Sequence, residues 1–198
     1  NLGYVPFDSK TYLDLISKFD EKSLKDSGLF YLDERKNEYV DRFRGRLIFP
    51  IYSLTGKPIA VGGRIIEDNK KIAKYINSPE TEFYKKGRHI FNLEKAKSIP
   101  NRNEEVIVVE GYMDVIGLYS CGIKNVVSNQ GTALTENQIN LIWKFFGCPI
   151  ICLDGDTSGQ KASLRIAEHL FSFIKENNKI SFVTLPNKLD PDDYIREK

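Results

Sequence analysis

Pro149-Ile150-Ile151-Cys152-Leu153-Asp154-Gly155-Asp156-Thr157-Ser158-Gly159 decides how the fold is read. Residues 150–153 form an apolar run of strand length that passes at once into a helical pattern, which reads as a central strand of a parallel sheet. In such sheets ligands bind at the carboxyl ends of the strands. Alternation predicts that Asp154 and Asp156 project to the same side of a continuing strand and converge on one point. Two carboxylates there repel unless a cation lies between them, and hard oxygen ligands favour Mg²⁺ or Mn²⁺. The same residues are also good turn chemistry, with Thr157 or Ser158 able to cap the helix that follows. On this stretch alone the metal reading and the turn reading stand side by side.

Working outward, strands and helices alternate from Glu105 on. Strands are expected at 106–109, 125–128, 150–153 and 180–185, and helices at 112–120, closed by Gly122, at 135–146, containing Trp143, and at 158–177. Such alternation implies right-handed crossovers and a parallel sheet with helices on its faces, the helical aromatics serving the core. The first strand ends in Glu110-Gly111-Tyr112-Met113-Asp114, which places Glu110 at the same end of the sheet as Asp154. Asp114 falls in the first turn of the next helix, where a carboxylate is also a favourable cap. Asp190 and Asp192 add two spaced acids after the last strand. Acids at so many strand ends favour a metal site over a set of independent turns.

The chain of 198 residues allows one large domain or two small ones, and its 41% hydrophobic and 28% charged residues are ordinary for a globular protein. It opens inside what reads as folded sequence, with no signal peptide and no apolar run of the roughly 20 residues that span a bilayer, so a cytoplasmic location without membrane contact is expected. Cys121, Cys148 and Cys152 form no Cys-x-x-Cys pair and read as reduced core thiols. With His89 and His169 far apart, they argue against zinc within this chain. The net charge of +2 hides an asymmetry. Residues 42–97 hold 13 Lys and Arg against 5 Asp and Glu, whereas residues 101–198 hold 10 against 13. A basic half joined to an acidic half suits a protein that holds a polyanion with one part and cations with the other.

In the basic half, Ser9 is expected to cap a helix with Tyr12, Leu13, Leu15, Ile16 and Phe19 on one broad face, and Asp20 to cap a second that Gly28 ends. Residues 30–43 read as a β-hairpin, and 46–52 with 58–66 as another across a Thr-Gly-Lys turn. Arg42, Arg44 and Arg46 alternate and are expected on one face, where an arginine row suits phosphates or else guards an edge strand. Lys74-Tyr75-Ile76-Asn77 and Phe83-Tyr84-Lys85-Lys86-Gly87-Arg88 interleave cations with aromatics, as single-stranded nucleic acid binding does and as surface loops often do. Residues 93–99 read as a short helix, and 100–104 as a polar linker between subdomains 1–100 and 101–198.

At this point the residues carry a resemblance. Glu110-Gly111 with Asp114, followed by Asp154-Gly155-Asp156 at parallel strand ends, resembles the TOPRIM domain of topoisomerases, primases and related nucleases. Arg42-Phe-Arg-Gly-Arg46, Gly62-Gly-Arg64, Lys74-Tyr-Ile-Asn-Ser-Pro-Glu-Thr81, Lys86-Gly-Arg88 and Gly131-Thr-Ala-Leu-Thr135 narrow it further, resembling in order and spacing the catalytic core of bacterial DnaG-type primases. The match spans almost the whole chain. Measured against the full family pattern, an N-terminal zinc-binding domain and a C-terminal helicase-binding domain are missing. Asn129-Gln130 is unusual for the family.

The resemblance implies an α/β fold, α+β overall: a basic N-terminal subdomain with antiparallel hairpins, then a TOPRIM subdomain with a parallel sheet flanked by helices. It implies Mg²⁺, or Mn²⁺ in its place, on catalytic Glu110, Asp154 and Asp156, with Asp114, Asp190 and Asp192 as further acidic members. Arg44, Arg46, Arg64, Lys74, Asn77, Lys86 and Arg88 are implied to bind template and nucleotide. The implied activity is synthesis of RNA primers on single-stranded DNA from nucleoside triphosphates by a monomer, with a replicative helicase as partner through the missing domain. A TOPRIM-type nuclease would need the same acids but not the basic half, and a non-catalytic nucleic-acid-binding module would need the basic half but not the acids.

Overall fold

The computed structural model describes residues 2–8, 10–67, 72–99, 104–131, 133–172, 174–186 and 189–197. Two units emerge from the packing, Asn1–Lys85 and Lys86–Lys198.

In the first unit the strands are β1 (Gly3–Val5), β2 (Phe30–Asp33), β3 (Glu38–Asp41), β4 (Arg46–Tyr52), β5 (Pro58–Ile65) and β6 (Tyr75–Asn77). An antiparallel sheet of order β1-β4-β5-β6 has Phe49 opposite Gly62 and Gly63 opposite Ile76. β2 and β3 make the expected separate hairpin, with Phe30 opposite Asp41. Helices α1 (Thr11–Leu15) and α2 (Glu21–Asp26) pack Tyr12 and Leu24 against Phe30. As expected, Asp20 caps α2, accepting the Ser23 N–H at 2.9 Å, and Gly28 leaves it at a left-handed φ of 72°.

Two expectations for this unit fail. The apolar face of α1 shrinks to buried Tyr12 and half-buried Leu15, because the helix ends at Leu15 and leaves Leu13, Ile16 and Phe19 exposed. Its expected cap, Ser9, lies outside the described residues. The arginine row does not form either: residues 42–45 are a turn and β4 begins only at Arg46, so Arg42, Arg44 and Arg46 lack the strand alternation that would align them.

The second unit carries β7 (Glu105–Val109), α4 (Tyr112–Ser120), β8 (Val126–Ser128), α5 (Glu136–Trp143), β9 (Cys148–Leu153), α6 (Thr157–Phe171), β10 (Ser181–Thr184) and α7 (Pro191–Arg196), preceded by α3 (Leu93–Ala96). Its four strands are parallel in the order β10-β9-β7-β8, so the expected α/β fold is borne out. Val109, Val115, Leu118, Val126, Cys152 and Leu185 form a buried cluster between sheet and helices. α6 stops at Phe171, short of the expected 177, and α7 was not foreseen. Of the three thiols only Cys152 is buried, while Cys121 is exposed and Cys148 half-buried, so the expected core placement holds for one of them. Trp143 is half-buried and its indole N–H donates to the Lys179 carbonyl at 3.0 Å. No helix among the described residues is long and apolar enough to cross a membrane.

Candidate active site and basic surfaces

Glu110 follows directly on β7, and its peptide is fixed from the neighbouring strand. The Ser128 hydroxyl donates to the Glu110 carbonyl at 2.7 Å and the Gly131 N–H donates to the same oxygen at 2.8 Å. The chain reaches that oxygen twice because Gln130 and Gly131 both turn left-handed, at φ 64° and 70°. The Ser128 oxygen also accepts the Gln130 N–H at 2.9 Å, closing a turn two residues on. These bonds give a physical role to the Gln130 backbone, one of the two unusual residues before Gly131. The Glu110 carboxylate accepts the backbone N–H of Asp154, which joins the ends of β7 and β9. Burial raises its pKa above the ordinary range, the Asp154 N–H opposes the rise, and the Asp156 charge adds to it.

β9 ends at Leu153, so Asp154 and Asp156 are not alternate residues of one continuing strand. Asp156 is instead the N-cap of α6 and accepts the Gly159 N–H at 2.7 Å, a place that Thr157 or Ser158 was expected to take. A side chain at position 159 would run into the backbone of Asp154, so glycine alone permits this close turn. The capping role and proximity to other acids coexist: Asp154 is pushed up to about 6 by burial, then by the charges of Glu110, Asp190 and Asp156. Asp190 reaches the group because the Gly155 N–H donates to the Leu189 carbonyl at 2.8 Å. It also caps α7, accepting the Asp193 N–H at 2.7 Å, with Pro191 in the first turn.

Asp114 is buried and accepts the Gly111 N–H at 2.9 Å, so the capping reading holds for it too. Burial, then the charges of Asp154, Asp190 and Glu110, push its pKa up to about 7. Among the described residues, every charge that shifts Glu110, Asp114 and Asp154 is negative. Asp192 is not among them. It lies against Gly117 of α4, where a Cβ would collide with its carboxylate, and it accepts from Arg196 Nε at 2.6 Å.

No three His, Cys, Asp or Glu side chains among the described residues form a set able to hold an ion by themselves. The donor chemistry nevertheless fits Mg²⁺ or Mn²⁺, since Mg²⁺ uses one or two carboxylates and keeps its other positions for water and phosphate. Carboxyls that repel one another at strand ends, with no cation among the described residues offsetting them, gain most from such an ion.

The basic residues take several environments. Arg64 and Lys74 both lie over the ring of Tyr75, at 5.8 and 6.0 Å from its centroid, and Asn77 pairs with Gly62 in the same sheet. Arg44 is exposed in the 42–45 turn. Arg46 is buried, and its guanidinium donates to the Ala73 carbonyl at 2.8 Å and the Lys74 carbonyl at 3.2 Å. It supports the segment that carries Lys74 and is itself withdrawn from solvent.

Lys86 and Arg88 sit on a 3₁₀ turn in the second unit. The fully buried Gln138 donates to the carbonyls of Lys86 at 3.0 Å and His89 at 2.9 Å, and the Thr135 hydroxyl donates to that of Gly87 at 2.6 Å. Tyr75 belongs to the aromatic and basic stretch expected from sequence, whereas Gln138 was not singled out. Gln138 had a usable signal as the third residue of a Thr-x-x-Gln capping box, in which it accepts the Thr135 N–H at 3.1 Å.

The family described as DNA primase catalytic core, N-terminal domain, matches residues 1–97, and the Toprim domain family matches residues 104–184. The chain belongs to the DNA primase catalytic-core family. A DNA primase of Pasteurella multocida is 39% identical over 99% of this chain, which spans 34% of that relative's length. A primase domain from Pseudomonas aeruginosa superposes with a TM-score of 0.91 at 36% identity, over 100% of this chain and 61% of the other. A DnaG primase catalytic domain bound to single-stranded DNA gives 0.89 at 33% identity, over 100% and 61%. The primase core thus accounts for both the basic and the acidic parts of the chain.

Proposed function

We propose that this chain synthesises short RNA primers on single-stranded DNA from nucleoside triphosphates, as a nucleotidyltransferase of the DNA-directed RNA polymerase class. The observation that carries the reading is the group of mutually repelling carboxyls at parallel strand ends, with no compensating cation among the described residues, in a chain whose other half is basic.

Glu110 and Asp154 are assigned to one Mg²⁺ and Asp154 and Asp156 to a second, with Asp114 and Asp190 beside them. Ions held there would supply charge to lower the pKa of a ribonucleotide 3′-hydroxyl and to neutralise the departing pyrophosphate. The chain's own groups do the positioning. Ser128 and Gly131 hold the Glu110 peptide, Gly159 and Asp156 hold the turn after β9, and Asp114 holds the turn into α4. Arg44, Arg64, Lys74, Asn77, Lys86 and Arg88 are assigned to phosphates of template and nucleotide. Tyr75, flanked by two cations, offers a stacking face for a base.

In this reading residues 1–100 carry the basic contacts and 101–198 the ions. The chain acts as a cytoplasmic monomer and meets a replicative helicase through a region beyond the sequence described. The test is incorporation of labelled ribonucleotides on single-stranded DNA with and without Mg²⁺. Metal-dependent oligomers support the assignment, and metal-dependent loss of the template instead replaces it with a nuclease.

A further inference from the structure

A pocket of about 250 Å³ opens in the second unit and shares Glu110 with the ion assignments above, while its other walls have no part in them. Its lining is chemically mixed. Glu110 and Asn129 bring polar groups, Arg165 and His169 stand one helical turn apart on α6, and Leu134, Leu153 and Ile166 supply apolar surface. Arg165 makes no hydrogen bond or ion pair with any other described residue. An arginine held on a helix with its five donors uncommitted is ready to bind an oxyanion.

A bare phosphate or pyrophosphate would leave the apolar walls unfilled and would be repelled by Glu110. A ligand with an anionic end, an apolar body and a hydroxyl end satisfies every wall. We infer that this pocket receives a 5′-phosphorylated ribonucleotide, with its phosphate on Arg165 and His169, its base or ribose face on Leu134, Leu153 and Ile166, and its 3′-hydroxyl toward Glu110. The inference rests on the proposed function for the meaning of that orientation: it presents the attacking hydroxyl to the carboxylate assigned to the catalytic ion. The nucleotide is then either the one that starts a primer or the one that ends it, since both carry a 5′-phosphate and a free 3′-hydroxyl.

Binding is measured first, on the whole chain with EDTA present, using adenosine 5′-monophosphate and adenosine as probes. The wild type should bind the monophosphate more tightly than adenosine. Arg165→Ala should lose about tenfold in affinity for the monophosphate, the size of a charge-assisted hydrogen bond, and none for adenosine, while Arg165→Lys recovers part of the loss. Equal affinity of folded Arg165→Ala and wild type for the monophosphate would overturn the inference. So would a wild type that does not distinguish the two probes.

Two reactions then separate the sources. Loss by Arg165→Ala of dinucleotide formation from free triphosphates identifies the starting nucleotide, and loss of extension of an annealed primer identifies the primer end. Arg165-dependent binding with both reactions unchanged would overturn the placement of the 3′-hydroxyl. If the wild type makes no primer at all, the proposed function falls, while the binding comparison still decides the pocket.

Discussion

The Ser128 hydroxyl donates to the backbone carbonyl of Glu110 at 2.7 Å, so a residue at the end of one strand fixes the acid at the end of its neighbour. The same hydroxyl accepts the Gln130 N–H, which folds the chain back so that Gly131 N–H reaches the Glu110 carbonyl as well. Placement of the acid therefore depends on a buried serine that has no part in the chemistry.

Ser128→Ala should lower divalent-ion affinity about tenfold, the lower end of what loss of a supporting hydrogen bond costs a metal site. Stability should fall by about 1 kcal/mol, because Gly131 still satisfies the carbonyl. Calorimetric titration with Mn²⁺ alongside urea unfolding checks both. Unchanged ion affinity in a destabilised variant would confine Ser128 to folding.

The pH dependence of the ion-free protein follows from the raised carboxyls. The folded-state pKa of Asp154 is about 6 and of Asp114 about 7, both above the ordinary aspartate value, so the folded state binds their protons more tightly than the unfolded state does. Their contribution to stability is fully present below the unfolded value and is lost as pH rises through about 6 and 7. In EDTA, Asp154→Asn should therefore be more stable than wild type at pH 8, with the advantage shrinking toward pH 4.5. Saturating Mg²⁺ should reverse the order at pH 8. Urea melts at the two pH values give the comparison, and a pH-independent difference between the proteins would contradict it.

Arg46 on β4 and Arg64 on β5 are both basic residues of one sheet but differ in what they do in the fold. Arg64→Ala should leave the melting temperature nearly unchanged and reduce the salt slope of single-stranded DNA binding by about one, as loss of a phosphate contact does. Arg46→Ala should instead destabilise by about 2 kcal/mol, because it abandons the carbonyls of Ala73 and Lys74 in a buried place. A salt titration of binding with parallel thermal melts separates the two roles, and identical profiles would refute the division.

Gln138→Leu should cost about 2 kcal/mol by leaving the Lys86 and His89 carbonyls without their donor. It should also weaken DNA binding, although the residue is fully buried, by loosening the turn that presents Lys86 and Arg88. Weakened stability with full DNA affinity, measured well below the melting temperature, would show that the turn holds its shape without Gln138.

Local signals made the parallel sheet legible: apolar runs of strand length, Gly111 before α4 and Gly122 after it. They also made Glu110, Asp154 and their shared sheet end legible. What they could not show was long-range. The Gly155 to Leu189 hydrogen bond seats Asp190 beside Asp154, while Arg196 and Gly117 hold Asp192, and both acids lie in one short stretch with similar spacing. α7 escaped notice because six residues carry too little periodicity, although Asp190-Pro191 is a helix-start signal. Alternating arginines suggested a strand where Gly45, at φ 69°, makes a turn. The cap of α6 was expected at Thr157 or Ser158, but the side chain of Asp156, expected only in the acid group, takes it.

The most direct test of the carboxylate site counts the ions themselves. Mn²⁺ bound to the chain can be measured by the loss of free-ion electron paramagnetic resonance signal, for wild type and Asp154→Asn at pH 8. The account predicts saturable binding to the wild type that Mg²⁺ displaces, and its loss in the variant, because Asp154 is assigned to both ions. Equal stoichiometry and affinity in the two proteins would contradict the assignment of Asp154 and, with it, the site at the strand ends.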